Sequence, residues 1–225
     1  MFVPFGDENP RDRFPIVTIF LIVLNAIVFF LWCYPEDVLV RTVEIHALKP
    51  VEVDWTGLGW WMDIFTSMFM HGNLAHLAGN MIFLWIFGDN VEDKVGRGLF
   101  LAFYLACGVG ADVLYVSMSP GSEVPTLGAS GAVSGVLGAY VIFFPRHRVR
   151  LLLWVIIPIA VYRTPAFFWI GFWFLQQILF AHLGLGGVAW FAHIGGFLVG
   201  FAFALPWKAL HYREFTGPPR GPRTA

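Results

Sequence analysis

The sequence predicts an all-α membrane protein, a bundle of six transmembrane helices with an interfacial first external loop. Three observations carry that expectation. Of 225 residues, 58% are apolar and only 13% are charged, whereas a soluble domain is about half apolar and about one quarter charged. Six apolar stretches approach the length needed to cross a bilayer. The basic residues fall in alternate loops.

The spans follow in chain order. Pro15–Tyr34 is the first, and it lacks a small-residue cleavage site, so it reads as a span rather than a removable signal peptide. Leu74–Phe87 is the second and is short; His71–Asn73 extend it at its start. Leu99–Ser117, Leu127–Phe144, Pro165–Phe180 and Val188–Trp207 complete the six. The run Leu151–Tyr162 is apolar but only about a dozen residues long, and Pro158 interrupts it. Such a run is too short to span. It is expected to lie at the interface or to lead into the fifth span.

Orientation comes from Lys and Arg. The N-terminus, the loop after span two, the loop after span four and the C-terminus hold 12 of the 14. Only Arg41 and Lys49 lie in the other loops. The positive-inside rule then makes both termini cytoplasmic, and the plasma (inner) membrane is the expected setting of this multi-pass protein. Residues 1–14 form a cytoplasmic N-terminal segment, 15–207 the six-helix domain, and 208–225 a tail expected to be disordered, since it ends in "TGPPRGPRTA". The external loop 35–70 mixes acidic residues with Trp55, Trp60, Trp61 and Phe65, a composition suited to the membrane interface. Net charge is −1, so no basic field points to nucleic acid. Cys33 and Cys107 lie in apolar stretches and read as small core residues.

Polar side chains inside spans are costly and often functional. Spans two, four and six all enter from the same side. That direction brings His71, His76 and Asn80, then Ser130 and Ser134, then His193 to a similar depth. His76 and Asn80 are four residues apart and share one helix face. Gly128, Gly131, Gly135 and Gly138 fall within an arc of roughly 80° on span four, with Ser130 beside it. On span six Gly196 and Gly200 form a GxxxG pair, and His193 lies beside that pair. Small-residue seams let helix backbones approach closely. If these two seams face each other, they carry Ser130 and His193 to one contact edge.

A serine hydroxyl becomes a nucleophile when a base takes its proton, and histidine is the usual base. Acyl transfer also needs donors aimed at the developing oxyanion. Asn80, His76 and the backbone N–H of Ser130 suit that role. No acidic residue has an obvious claim to orient His193, so a Ser–His dyad is expected. No HExxH occurs, and His71 and His76 are badly phased to share a metal. Asp89 and Asp112 lie toward opposite ends of their spans, which excludes a paired-carboxylate site. Asp112 reads as a polar residue near the interface or packed inside the bundle. No metal and no cofactor are expected.

At this point the motifs resemble those of the rhomboid intramembrane serine proteases. "GASG" at Gly128–Gly131 is similar to the family's GxSG, with Ser130 as nucleophile. "AHIGGFLVG" at Ala192–Gly200 is similar to its AHxxGxxxG, with His193 as base. "HGNLAHLAGN" at His71–Asn80 is similar to its HxxxxHxxxN. The resemblance implies His76 and Asn80 in the oxyanion hole and a structural role for His71. It also implies stabilising contacts from Glu92 and Arg97 in the loop after span two. Two features depart from the pattern: Ser134 stands where many members carry a tyrosine stacked on the histidine, and Trp61 is followed by Met62 rather than Arg.

The resemblance implies a hydrolase that cleaves single-span membrane proteins within the bilayer near its outer face, with the aromatic fifth span (Phe167, Phe168, Trp169, Phe172, Trp173, Phe174) as a lateral gate or a lipid-facing surface. Its partners would be transmembrane substrates and lipid, with no nucleic acid and no metal. The competing reading is a catalytically inactive rhomboid-like factor that binds and routes membrane proteins. A transporter or haem protein fits less well, because no inverted repeat is visible and no ionisable residue sits clearly at mid-bilayer. Gln176 and Gln177 are candidates for hydrogen bonds between helices and are assigned no chemistry.

Overall fold

The computed structural model describes residues 2–57, 59–154 and 158–216. A helical bundle forms the body of the protein. Its helices are α1 (Ile16–Cys33), α2 (Glu36–His46), α3 (Trp60–Ser67), α4 (Leu74–Phe83), α5 (Asp89–Val95), α6 (Arg97–Met118), α7 (Ser130–Phe143), α8 (Ala166–His182), α9 (Trp190–Leu210) and α10 (Tyr212–Thr216). Three of them, α1, α6 and α9, are long and apolar enough to cross a membrane, and α7 and α8 are shorter apolar helices. A π-turn at Leu84–Gly88 joins α4 to α5, so span two continues past its expected end at Phe87. At its start the chain does the opposite. His71–Asn73 are not helical, because Asn73 takes an extended conformation and caps α4 by accepting from the His76 N–H at 2.8 Å.

The central helix is α7. Every residue from Gly131 to Tyr140 is buried, held between α6 and α9. Its glycines are the reason. A Cβ on Gly196 or Gly200 of α9 would land on the carbonyl oxygens of Gly131 and Gly135. One on Gly135 would strike the Cys107 sulfur of α6. Backbone therefore packs against backbone, and the two glycine seams do face each other. Outward faces are apolar instead. Phe20 and Phe30 on α1, and Phe168, Phe172, Leu175 and Leu179 on α8, each expose more than half of their surface. A surface of this kind matches lipid, not water.

Polar contacts brace the terminus-side end of the bundle. The N-terminus of α1 begins at Pro15, which offers no side-chain cap. Glu92 of α5 supplies one. Its carboxylate accepts from the amides of Val17 (3.1 Å) and Thr18 (2.8 Å) and from the Thr18 hydroxyl (2.8 Å). A negative charge there also meets the positive end of the helix dipole. Arg11 pairs with Asp89 at 2.7 Å.

A small antiparallel sheet joins the helices. It comprises β1 (Phe2–Asp7), β2 (Arg148–Trp154) and β3 (Pro158–Pro165), in the order β1-β2-β3. Pro4, Leu151 and Tyr162 form one row across it. The apolar run expected at the interface is thus a β-hairpin that hands over to α8 at Pro165. Its start has the period of a strand: Val149 and Leu151 are buried, while Arg148 is exposed and Arg150 half-buried. Leu152 and Leu153 mask that alternation in the sequence. The strand that completes the sheet lies far away in the N-terminal segment, which is therefore structured. The expected disordered tail is corrected too: α9 runs on to Leu210 and α10 occupies Tyr212–Thr216, with 217–225 outside the described residues.

Candidate active site

Ser130 is the first residue of α7, and Gly128 just before it explains how the chain enters that helix. Gly128 has φ +104, a region that disfavours side chains. Space forbids one as well, since a Cβ there would sit 2.8 Å from Cε1 of His76, 2.9 Å from its Nε2 and 3.3 Å from Nδ2 of Asn80. The turn before Ser130 therefore presses its bare backbone against the two side chains expected to hold an oxyanion. As a first-turn residue, Ser130 also presents a backbone N–H with no intrahelical acceptor.

Across the seam, His193 lies in the first turn of α9. Its Nε2 is 2.9 Å from the Ser130 hydroxyl. The glycine contacts set this distance, because they fix how closely α7 and α9 approach. Asn80 is buried, and its Nδ2 has no hydrogen-bond partner among the described residues. A buried donor without a partner is uncommon in a folded protein, and here it faces the space beside Ser130. These groups line a cavity of about 1400 Å³. Trp169 and Trp173 of α8 and Pro4 and Leu151 of the sheet also line it.

The aromatic residues of α8 differ in exposure. Phe168 and Phe172 are mostly exposed, whereas Trp169 is buried and packs on Phe83 (5.6 Å) and Phe87 (6.0 Å). Phe168 and Phe172 nevertheless line the same cavity as Trp169 and Trp173, so buried and exposed rings of α8 together form its wall.

His71 is fully buried, edge-on to His76 at 5.1 Å, and its Nε2 lies 3.5 Å from the amide of Ala129. It supports the turn before Ser130 without reaching the cavity. Arg97 is not brought into the site. It is exposed and, among the described residues, donates to the Phe14 carbonyl at 3.4 Å. Asp112 is buried on the cavity wall. Ser134 is tied up, donating to the Ser130 carbonyl at 2.6 Å.

One neighbour of His193 was expected to bond between helices but was given no place in the site. Gln177 of α8 is 3% exposed, and its Oε1 lies 2.8 Å from His193 Nδ1. Its Nε2 donates to the Trp173 carbonyl at 3.1 Å. The signal was a polar amide in the middle of an otherwise apolar span. In place of a stacked tyrosine, Trp173 lies at a tilt to the His193 ring and Trp190 edge-on, each 6.1 Å away.

A helical membrane bundle with a serine–histidine contact opening onto an apolar cavity is the class that fold and site define. The comparisons narrow it. The model of the Rhomboid domain matches residues 58–209, and the chain belongs to the rhomboid family. It is 31% identical over 195 residues to Rhomboid protease GluP of Bacillus subtilis, covering 85% of this chain and 36% of that protein. It is 28% identical over 191 residues to the mitochondrial Rhomboid protein 1 of Saccharomyces cerevisiae, covering 81% and 51%. The mouse mitochondrial presenilin-associated rhomboid-like protein is 32% identical over 136 residues, covering 59% and 34%. The chain thus spans about a third to a half of the length of these relatives.

These relatives overturn the placement in the plasma (inner) membrane with cytoplasmic termini, since the yeast and mouse proteins are mitochondrial by name. The physical reason is plain. Charge bias reports which side of a bilayer a loop lies on and carries no information about which bilayer it is.

Proposed function

We propose that this chain is an intramembrane serine endopeptidase that cleaves single-span membrane proteins near the membrane face opposite its termini. Spans α1, α4–α5, α6, α7, α8 and α9 make up the catalytic domain, 15–207. A mitochondrial membrane is the setting favoured by the names of the yeast and mouse relatives. The observation that carries the reading is the 2.9 Å contact between the Ser130 hydroxyl and His193 Nε2.

The chemistry follows from that contact. His193 Nε2 takes the Ser130 proton as the oxygen attacks the scissile carbonyl. The carbonyl oxygen becomes an oxyanion and receives donors from Asn80 Nδ2, the His76 ring and the Ser130 N–H. His193 then gives its proton to the leaving amine. Water, activated by the same nitrogen, hydrolyses the acyl-enzyme and returns the proton to Ser130. An intact substrate helix hides its carbonyls in hydrogen bonds. Segments that unwind easily, with small residues beside helix-weakening ones, are therefore the favoured substrates. They would enter along the α8 face of the cavity.

The test uses the purified full chain in liposomes with a single-span substrate carrying such a segment. Cleavage should occur with the unaltered protein and disappear in Ser130→Ala and in His193→Ala. Cleavage that persists in Ser130→Ala removes the assignment. An inactive binding factor would show no cleavage with either protein.

A further inference from the structure

A catalytic histidine works only if its proton sits on the correct nitrogen. To accept from Ser130, Nε2 must be unprotonated, so Nδ1 must carry the hydrogen. In hydrolases with a third member a buried carboxylate enforces this. No carboxylate makes a hydrogen bond to His193 among the described residues. The amide of Gln177 stands there instead.

Amide orientation is ambiguous by itself, because oxygen and nitrogen are alike in shape. Here the surroundings decide it. One end of the amide meets the Trp173 carbonyl, which only accepts, so that end must be the NH2 group at 3.1 Å. The other end is then Oε1, which only accepts, and it faces His193 Nδ1 at 2.8 Å. An acceptor at Nδ1 requires a hydrogen on Nδ1. Nε2 is left with its lone pair toward Ser130 Oγ at 2.9 Å. A backbone carbonyl thus fixes the amide, the amide fixes the imidazole, and the imidazole faces the nucleophile.

We infer that Gln177 is the positioning residue of this site, which makes the dyad a Ser130–His193–Gln177 relay of hydrogen bonds without a carboxylate. The inference rests on the protease reading above. It also supplies what Ser134 cannot, since that hydroxyl is occupied by the Ser130 carbonyl. Gln177 lies one turn from Trp173, on the helix that walls the cavity. The orientation of the base therefore depends on where α8 stands.

The experiment compares Gln177→Leu and Gln177→Glu with the unaltered full chain in detergent micelles. Three quantities are read: the rate of fluorophosphonate labelling, kcat and KM on the single-span substrate, and the ¹⁵N signals of labelled His193. Gln177→Leu should lower labelling and kcat by about 10²-fold, short of the about 10⁴-fold that a wrong tautomer costs a carboxylate triad. KM should stay unchanged, and the ¹⁵N signals should shift from Nδ1–H toward a tautomer mixture. Gln177→Glu keeps an acceptor at the same reach, and when protonated it still donates to Trp173. It should restore most of the loss. Unaltered kcat in Gln177→Leu, or equal losses in Gln177→Leu and Gln177→Glu, overturns the inference. Should the unaltered chain neither label nor cleave, the protease reading fails instead, and the ¹⁵N signals still report whether Gln177 sets the tautomer.

Discussion

Gly196 of α9 packs directly on the carbonyl oxygen of Gly131 in α7, with no room for a Cβ between them. Gly131 follows Ser130, and Gly196 lies three residues after His193. The same contact that joins the two helices therefore sets the distance between nucleophile and base. Gly196→Ala should force the helices apart. Overpacking of this kind costs about 1–3 kcal/mol, and the hydrogen bond at the site should lengthen with it. Loss of cleavage together with a lower unfolding midpoint in mild detergent is the expected outcome. A fully active Gly196→Ala would separate the seam from the chemistry.

Asn80 tests the opposite case, a residue that matters to rate and not to fold. Its Nδ2 has no hydrogen-bond partner to lose among the described residues. Asn80→Ala should reduce kcat by about 10²–10³-fold, as removal of one oxyanion donor does elsewhere, while the unfolding midpoint stays put. Equal kcat in the two proteins would take Asn80 out of the oxyanion hole.

Much of this site was legible in the sequence because intramembrane polar residues are rare enough to stand out. Ser130, His193, His76 and Asn80 were each visible as polar groups at one depth, and the GxxxG spacing showed which helices would meet. Gln177 was visible for the same reason but had no assignable partner, since a hydrogen bond to His193 joins two spans in a geometry that spacing along one helix does not reveal. The sheet was hidden for a different reason. Its central strand reads as a plain apolar run after Arg150, and its partner β1 is supplied by the N-terminus, more than 140 residues earlier. Long-range pairing leaves no local period. Glu92 was found only through family resemblance, and its contacts explain the resemblance: it caps a helix preceded by Pro15, which offers no side-chain cap.

That cap has a measurable cost of removal. Glu92 is buried and accepts three hydrogen bonds from the start of α1. Glu92→Ala leaves the buried Thr18 amide and the part-buried Val17 amide without their acceptor, and a buried group left unpaired costs about 1–3 kcal/mol. Thermal unfolding in detergent should show a clear drop. A drop no larger than that of an exposed substitution such as Arg97→Ala contradicts the capping role.

The N-terminal strand should respond to pH. Burial pushes the Asp7 carboxyl up from 3.8 to about 6, and the nearby Asp89 charge adds to this against the favourable hydrogen bond from Tyr140. A folded-state value above the unfolded one means that folding favours the protonated form. The contribution is complete below about pH 4 and lost as pH rises through about 6. Hydrogen exchange of the β1 and β2 amides should therefore be slower at pH 5 than at pH 7, after correction for intrinsic rates. Asp7→Asn should abolish the difference. Protection that rises between pH 5 and pH 7 would reverse the sign and exclude Asp7 as its source.

The most direct test of the account is to locate the covalent adduct. The full chain is treated with a fluorophosphonate, digested, and sequenced by mass spectrometry. The adduct should lie on Ser130, with Ser134 unmodified because its hydroxyl is committed to the Ser130 carbonyl. It should vanish in His193→Ala, whose serine keeps its place and loses its base. An adduct on Ser134, or on Ser130 at an undiminished rate without His193, would contradict the serine–histidine mechanism.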